Sequence, residues 1–277
     1  MSALLRLCRL YYVVPFSLGY TLILYYALGG RMAGRWLEAA TTTGALALVL
    51  CGAYALNDAV DLEVDRVNAP GRAVAAGRIS RRAAATLAGA LMASGLLLGT
   101  SGTLGFSLIL TVVTAGLVAY DLASKRLGAA KQLAVAALMV SLYPLAFAQS
   151  GGPSGPRAAS LFVFPVWLFL TSFAYETLKD LRDAEGDLRA APAPSALQRA
   201  PARWRTIANA ALLAGVPLVV APLAFGCRAV YLAASAPAIA LALAATRLPV
   251  RRAIPAVYAE ITAVALAAAL DVMAYGM

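Results

Sequence analysis

The sequence contains no histidine and only three cysteines, at Cys8, Cys51 and Cys227. The absence of histidine excludes imidazole metal sites and catalysis by Ser-His or Cys-His pairs. The cysteines lie far apart along the chain, at spacings that indicate neither a zinc site nor a disulfide framework. The reactive side chains that remain are carboxylates, lysine, arginine, tyrosine and asparagine.

Charged residues are also scarce, at 13% of the chain, whereas 62% of the residues are hydrophobic and the mean hydropathy is +0.78. These values are typical of a polytopic membrane protein rather than a soluble domain. A helical span needs about 20 residues. We therefore predict an all-α fold, in which nine transmembrane helices form one integral-membrane domain over residues 1–277. The predicted segments are 10–29, 38–58, 82–101, 103–121, 130–150, 157–179, 203–225, 227–246 and 253–275.

The basic residues fall mostly on one side of this nine-helix arrangement. Of the 23 Lys and Arg residues, all but Arg31, Arg35, Arg157 and Arg228 lie on that side. Because Lys and Arg accumulate in cytoplasmic loops, we expect a plasma-membrane protein with a cytoplasmic amino terminus and an external carboxyl terminus. Membrane lipid headgroups account for the net charge of +10, so no nucleic-acid partner is predicted. The pattern assigns no oligomeric state.

Acidic residues recur at the ends of two apolar segments, on the side predicted to be cytoplasmic. The first motif has Asn57, Asp61 and Asp65 at i, i+4 and i+8, and the second has Asp183 and Asp187 at i and i+4. This spacing places each set on one face of a helix. Carboxylates are costly at a membrane boundary and therefore indicate a function. We expect the two faces to lie across a cavity from each other and to bind divalent cations.

Oxygen ligands of this kind suit Mg²⁺, which takes one or two carboxylates and fills its other positions with water and substrate phosphate. The predicted ligand is therefore a metal-bound phosphate or diphosphate. The alternative is structural, with the acids facing interfacial water or pairing with Arg66 and Arg182. Asp58 and Asp180 lie beside the acidic faces, where we expect supporting hydrogen bonds or substrate contacts. Glu63 points away from the first face and is expected to be solvated or to pair with a loop arginine.

The residues around these acids resemble the signatures of the UbiA-type intramembrane prenyltransferases. The first signature is similar to Asn57-Asp-Ala-Val-Asp-Leu-Glu-Val-Asp-Arg-Val-Asn-Ala-Pro-Gly-Arg72, and the second to Lys179-Asp-Leu-Arg-Asp-Ala-Glu-Gly-Asp187. Tyr120-Asp121 with Lys125 is similar to the Tyr/Lys loop of that family. The three motifs occur in the family's order in a chain with nine predicted spans, which makes the match specific. After Asp187 the sequence departs from the family's pattern, so the resemblance implies no functional roles beyond that residue.

The resemblance implies a helical bundle around a central cavity and Mg²⁺-dependent transfer of a prenyl group from its diphosphate to an acceptor. The implied metal ligands are Asn57, Asp61, Asp65, Asp183 and Asp187. The implied catalytic residues are Asp61, Asp65, Asp183, Asp187, Tyr120 and Lys125, with Tyr120 near the leaving group. The implied substrate-binding residues are Asn57, Arg72, Lys125, Lys179, Asp58 and Asp180.

Three functions remain open. The first is transfer of the prenyl group to an unidentified small-molecule acceptor: an aromatic acid, a quinone precursor, a tetrapyrrole or a glycerol-lipid alcohol. The wording of the two signatures favours, slightly, the branch with archaeal-type ether-lipid enzymes. The second is a terpene cyclase, which ionises the same diphosphate and needs no external acceptor. The third is a prenyl-phosphate carrier, which the shortage of charge on the far side disfavours.

Two further carboxylates lie in the last apolar segment. Glu260 falls in its middle and Asp271 near its far end, and the sequence identifies a partner for neither. Buried acids tend to find a polar partner. We therefore expect a polar helix contact at Glu260, in preference to a role in orienting an acceptor.

Overall fold

The computed structural model describes residues 3–123, 127–128, 130–155, 157–190 and 195–275. For residues 185–190 it describes the backbone alone. This part of the chain is helical, and one 3₁₀ turn, Ala221–Phe225, follows α11. The helices are α1 (Ala3–Leu7), α2 (Leu10–Ala27), α3 (Trp36–Val60), α4 (Leu62–Asn68), α5 (Arg81–Gly99), α6 (Leu104–Ala123), α7 (Ala130–Val140), α8 (Leu142–Ser150), α9 (Ser160–Ala190), α10 (Ala196–Arg199), α11 (Pro201–Val220), α12 (Ala229–Arg247) and α13 (Val250–Tyr275).

Nine stretches in the described residues are long and apolar enough to cross a membrane. They are Leu10–Ala27, Trp36–Val60, Arg81–Gly99, Leu104–Ala123, Ala130–Ser150, Ser160–Ala184, Pro201–Phe225, Ala229–Arg247 and Val250–Tyr275. Each coincides with one of the predicted segments, so the prediction of an all-α chain with nine spans is confirmed. The fifth span consists of α7 and α8, which are separated at Ser141.

The chain divides into two compact units. Unit 1 consists of Met1–Thr21, Ala33–Gly128 and Glu185–Pro194, and unit 2 consists of Leu22–Met32, Ala129–Ala184 and Ser195–Met277. In unit 2, buried apolar side chains of α9, α11, α12 and α13 pack in one cluster. That cluster includes Ala174, Leu178, Ala208, Leu212, Ala245, Ala253 and Val257.

Close packing of α3 against α5 in unit 1 depends on glycine. A Cβ added at Gly52 would lie 2.8 Å from the carbonyl oxygen of Ala88, and one added at Gly95 would lie 2.7 Å from that of Ala45. Both distances are too short for real atoms, so these positions require glycine for the two backbones to approach. Small residues at helix interfaces serve this purpose in membrane proteins. The first acidic motif begins at Asn57, on the same helix as Gly52.

The loop after this motif is anchored in the core of unit 1. Ala73 and Val74 are 1% and 4% exposed and pack with Leu7 of α1, with Ala55 and Ala59 of α3 and with residues of α5. Ser80 then caps α5, because its side chain accepts a hydrogen bond from Ala83 N. Arg72 directly precedes the anchored pair Ala73 and Val74, which fixes the loop beside it.

Candidate active site

The first acidic motif lies where α3 ends. We predicted that Asn57, Asp61 and Asp65 share one face of a helix, but they are divided between two helices, because α3 breaks at Asp61 (φ −91°, ψ 14°) and restarts as α4. Hydrogen bonds from Asp61 N to Asn57 O (2.9 Å) and from Asp65 N to Asp61 O (2.8 Å) continue across the break. The restart places Glu63 and Asp65 in the first turn of α4, where the helix dipole favours acids.

Asn57 connects three elements of unit 1. Its Nδ2 donates to Asp61 Oδ2 at 2.9 Å and to Asp121 Oδ1 on α6 at 3.3 Å. Its Oδ1 accepts from Arg9 Nη2 at 3.0 Å. The carboxamide therefore fixes the side chains of the motif relative to α6 and to the start of α2.

Two arginines neutralise the buried acids of this motif. Arg9 forms an ion pair and hydrogen bond with Asp58, which is 2% exposed. Arg72 forms an ion pair with Asp65 and lies 3.9 Å from Asp58 Oδ1. Asp58 thus contacts both guanidinium groups, which matches its expected supporting position beside the acidic face. We call Arg9, Asn57, Asp58, Asp61, Asp65, Arg72 and Asp121 the first-motif cluster.

Burial and charge act in opposite directions on this cluster. Burial raises the pKa of Asp65 above its ordinary value, and the hydrogen bond and charge of Arg72 lower it. For Arg9, burial lowers the pKa, but Asp58 and nearby tyrosines raise it, and it ends above its ordinary value. The guanidinium therefore remains charged, while the carboxylate of Asp65 would be stabilised by another cation.

Sequence reasoning missed Arg9 and gave Asp121 no role. The signal available for Asp121 was its place beside Tyr120 in the Tyr/Lys loop signature. For Arg9 the only signal was a basic residue directly before the first span, and most residues of that kind contact lipid headgroups. Both reach the motif through tertiary contacts, from 48 residues away for Arg9 and 64 for Asp121.

The oxygen donors of the cluster fit Mg²⁺, although in the described part of the chain no three Asp, Glu, His or Cys residues form a group that could hold a metal. Mg²⁺ needs only one or two carboxylates when water and phosphate complete its shell. Asp65 Oδ2 is buried, and the described residues provide it with no hydrogen-bond partner. A buried carboxylate oxygen in this state is suited to a cation.

The second acidic motif lies on α9, with Lys179, Asp180 and Asp183 in unit 2 and Asp187 in unit 1, and its described side chains form ion pairs. Both oxygens of Asp183 accept from the neighbouring Arg182, at 2.7 and 2.8 Å. Lys179 donates to Glu176 at 2.8 Å. Asp180 accepts at 2.7 Å from both Lys131 Nζ and Gln132 Nε2 of α7. Asp180 is therefore fully engaged between two helices.

The remaining predicted site residues are described in part or lie outside the description. Tyr120 is half-buried near the end of α6. Asp187 belongs to α9, but its side chain is outside the described ones, and Lys125 is outside the described residues altogether. Among the expected ion pairs, Glu63 and Arg66 form theirs at 2.9 Å, which confirms that Glu63 points away from the acidic face.

The two carboxylates of the last span have partners that the sequence did not identify. Glu260 is 1% exposed, and its Oε1 accepts from Trp167 Nε1 at 3.1 Å and from Thr171 Oγ1 at 3.4 Å. The expected polar helix contact at Glu260 is therefore present. Asp271 is fully buried and pairs with Arg157 at 3.0 Å.

A sequence profile of the UbiA prenyltransferase family matches residues 15–266, which is most of the chain. The chain belongs to this family. As a UbiA-family chain with nine candidate spans, it is an integral, multi-pass membrane protein. The match runs through both units and includes all three motifs in which the sequence resembles the family.

Two curated UbiA-family relatives are digeranylgeranylglyceryl phosphate synthases. The chain is 32% identical to that of Halobacterium salinarum (strain ATCC 29341 / DSM 671 / R1) over 206 residues, which is 72% of each protein. It is 34% identical to that of Methanoculleus marisnigri over 145 residues, which is 51% of this chain and 50% of the relative. The alignments with the first relatives therefore span about half of their length.

The fold is also similar to solved UbiA structures. A UbiA homologue from Archaeoglobus fulgidus bound to GPP and Mg²⁺ has a TM-score of 0.73 at 15% identity, with 98% of this chain and 100% of that chain covered. At this identity the likeness concerns the fold alone. It extends over nearly the whole length, so the UbiA fold includes all nine candidate spans of the described residues.

Proposed function

We propose that this protein transfers a prenyl group from a prenyl diphosphate to a lipophilic acceptor within the membrane and releases diphosphate. The observation that carries the proposal is the first-motif cluster of a UbiA-family chain, in which carboxylates, a carboxamide and two guanidinium groups meet at the end of a span. A metal-bound diphosphate requires these same groups: oxygen ligands for the cation and fixed positive charge for the phosphate.

The residues of both motifs have proposed roles. Asn57, Asp61 and Asp65, with Asp183 and Asp187, would hold Mg²⁺, and Arg72, Lys125 and Lys179 would pair with phosphate oxygens. When bound, Mg²⁺ would stabilise the negative charge that develops on the departing diphosphate. Asp58 and Asp180 keep cationic partners in place, as their ion pairs with Arg9 and Lys131 indicate. Tyr120 would lie near the leaving group.

Aromatic side chains of unit 1 supply a suitable neighbour for the reactive carbon. Cleavage of an allylic C–O bond leaves positive charge on the prenyl carbon, which a π-face stabilises and water would destroy. Tyr12 and Tyr54 stack with ring centroids 6.0 Å apart. The pair lies next to the first-motif cluster, since Cζ of Arg9 is 4.9 Å from the centre of the Tyr54 ring. We propose that these rings exclude water from the allylic end.

For the acceptor, we propose an alcohol of a glyceryl phosphate lipid. The names of the curated relatives describe a product with two geranylgeranyl groups on glyceryl phosphate. The same class was favoured by the wording of the acidic signatures in this sequence. An acceptor of this kind resides in the bilayer, where a multi-pass enzyme can reach it.

The proposal also extends to placement in the cell. The charge asymmetry supports a plasma-membrane protein with its amino terminus and both acidic motifs in the cytoplasm and its carboxyl terminus outside. The continuous family match over residues 15–266 supports one membrane domain rather than two. Alkaline phosphatase fused after the last residue should be active, because it functions only outside the cytoplasm; an inactive fusion would contradict this orientation.

The test of activity is a product assay with purified protein in nanodiscs, Mg²⁺ and allylic diphosphates of graded length. Geranylgeranylglyceryl phosphate is present in one set and absent from the other, and products are identified by mass spectrometry. We expect a doubly prenylated lipid only with the acceptor. In Asp61→Ala the rate of product formation should fall at least about a hundredfold, which is the usual effect of removing a group that stabilises transition-state charge. Glu63→Ala is the matched control, because Glu63 is exposed and pairs with Arg66.

Two other outcomes would replace the proposal. A cyclic hydrocarbon or alcohol formed without acceptor would establish a terpene cyclase, since that reaction needs the same ionisation but no second substrate. An absence of Mg²⁺-dependent turnover with every diphosphate and acceptor would favour a prenyl-phosphate carrier.

A further inference from the structure

Arg9 has an unusual backbone conformation at the junction of α1 and α2. Among the non-glycine residues that the structure describes, it alone has a positive φ, of 46°. This left-handed conformation costs a non-glycine residue free energy and is retained where surrounding contacts compensate. The carbonyl of Arg9 accepts from Tyr12 N at 2.8 Å and from Val13 N at 3.2 Å, so the strained residue also begins α2.

The compensating contacts are made by the guanidinium group. It binds Asp58 and Asn57 and lies over Tyr54, residues that follow one another at helical spacing on the last turns of α3. The Arg9 side chain is only 11% exposed. A membrane-anchoring arginine would extend to the lipid headgroups, whereas this one is directed into the first-motif cluster.

The contact with Asn57 involves the atom that a metal would need. Asn57 Nδ2 is directed to Asp61 and Asp121, so Oδ1 is the carboxamide atom that can bind a hard cation. That Oδ1 already accepts from Arg9 Nη2 at 3.0 Å. A divalent cation bound there would face the positive charge of Arg9 at short range, and like charges at this distance repel strongly. Arg9 and the cation therefore compete for one oxygen.

We infer that Arg9 is a positioning residue whose hydrogen bond to Asn57 Oδ1 is displaced when a cation binds that oxygen. Asp58 keeps the displaced guanidinium beside the motif, since its ion pair with Arg9 does not involve Asn57. Arg9 thereby holds the metal ligands in position before loading and opposes loading by a cation alone. The inference rests on the proposed function, because it takes Asn57 as a cation ligand.

A second consequence concerns the order of loading. Diphosphate carries negative charge, so its presence relieves the repulsion between Arg9 and the cation. Pyrophosphate should therefore strengthen binding of the cation, and by thermodynamic linkage the cation should strengthen binding of pyrophosphate by the same factor. This gain in affinity should be larger in the unmodified protein than in a variant that lacks the Arg9 side chain.

The test measures Mn²⁺ binding to purified protein in zwitterionic nanodiscs without prenyl substrate, by the loss of the free-ion electron paramagnetic resonance signal. Mn²⁺ is a probe for the same oxygen ligands as Mg²⁺. We expect Arg9→Gln to bind Mn²⁺ about tenfold more tightly than the unmodified protein, because a competing charge is removed. Arg66→Gln, which removes an exposed arginine paired with Glu63, should leave the affinity unchanged.

A merely structural arginine gives the opposite result, since its loss would loosen the ligands and weaken metal binding. Arg9→Lys keeps the charge and should stay within about threefold of the unmodified affinity. With pyrophosphate present, at equal free Mn²⁺, the gain in affinity should be smaller in Arg9→Gln than in the unmodified protein. Unchanged or weaker Mn²⁺ binding in Arg9→Gln would overturn the inference.

Failure of the inference and failure of the proposed function are separated by Asn57→Ala. If Asn57→Ala weakens Mn²⁺ binding and Arg9→Gln does not strengthen it, the metal role stands and the displacement of Arg9 is wrong. If neither the unmodified protein nor Arg9→Gln binds Mn²⁺, with or without pyrophosphate, or if Asn57→Ala binds it equally well, the metal role of Asn57 fails and the inference fails with it.

Discussion

Lys131 Nζ lies 2.7 Å from Oδ1 of Asp180, and Gln132 Nε2 lies 2.7 Å from the other oxygen of the same carboxylate. Both oxygens are thus used to join α7 to α9 inside unit 2. A carboxylate that binds side-chain donors of another helix with both oxygens stabilises the contact between the two helices. Asp180 consequently differs from Asp183, whose partner Arg182 is its exposed neighbour in sequence.

We predict that Asp180→Ala lowers stability more than Asp183→Ala does. The change leaves Lys131 and the buried Gln132 amide without their acceptor and should cost about 1–3 kcal/mol, the range for an unsatisfied buried group. The measurement is the midpoint of unfolding by sodium dodecyl sulfate in mixed micelles. Asp183→Ala should be near neutral, because its ion pair is solvent-accessible. Equal midpoints for the two variants would contradict this assignment.

Arg72 is expected to be needed for binding of the diphosphate. It lies against Asp65 and within 3.9 Å of Asp58, so it brings positive charge to the oxygen ligands. Arg72→Gln should raise KM for the prenyl diphosphate about tenfold, in line with the loss of one charge-assisted hydrogen bond. Arg72→Lys should recover part of this loss, because it keeps the charge without the planar fork.

The control for Arg72 is Arg82→Gln. Arg82 is exposed at the start of α5 and is predicted to lie on the same side of the membrane, and its replacement by Gln removes the same single charge. A rise in KM of similar size in both variants would show a general effect of surface charge and would count against a direct role for Arg72.

Among the ion pairs of the described residues, the pair of Arg157 with Asp271 is predicted to contribute most to stability. Their side chains are 3% and 0% exposed and 3.0 Å apart, and Asp271 Oδ1 also accepts from the backbone N–H groups of Arg228 and Tyr231. Asp271→Ala removes the carboxylate that pairs with the buried guanidinium of Arg157 and should cost about 3–5 kcal/mol. The measurement is again the midpoint of unfolding in mixed micelles.

A matched control is the ion pair of Arg35 with Glu38. These side chains are 35% and 32% exposed and 2.7 Å apart, and Arg35 is one of the few basic residues predicted to lie on the far side. Glu38→Ala should cost no more than about 1 kcal/mol, because water and salt screen the pair. If Glu38→Ala were as damaging as Asp271→Ala, burial would not be the cause of the difference.

The features that the sequence predicted correctly are local. Each span is a property of about 20 consecutive residues, and the joint position of Asn57, Asp61 and Asp65 follows from helical periodicity. Even the break at Asp61 did not separate these residues, because hydrogen bonds at helical spacing continue across it. Patterns of this kind require no knowledge of how helices pack.

The features that the sequence did not predict are tertiary. Arg9 meets Asn57 from 48 residues away, and Glu260 meets Trp167 from 93 residues away. Such pairs depend on how each helix is rotated and shifted against its neighbour, which periodicity does not determine. The sequence could indicate that Glu260 needs a partner in the membrane, but not that an indole N–H would provide it.

Glycine at the contact of α3 with α5 leads to a further prediction on stability. A Cβ at Gly95 would lie 2.7 Å from Ala45 O and 2.9 Å from Val49 Cγ2, so Gly95→Ala must force the helices apart and should lower the unfolding midpoint. Gly89 lies on the same helix with nothing within 4 Å of an added Cβ. Gly89→Ala should therefore raise stability by about 0.5–1 kcal/mol through helix propensity. Opposite shifts in the two variants would establish close packing as the reason for glycine at position 95, whereas a stabilising Gly95→Ala would show that α3 and α5 are further apart than described.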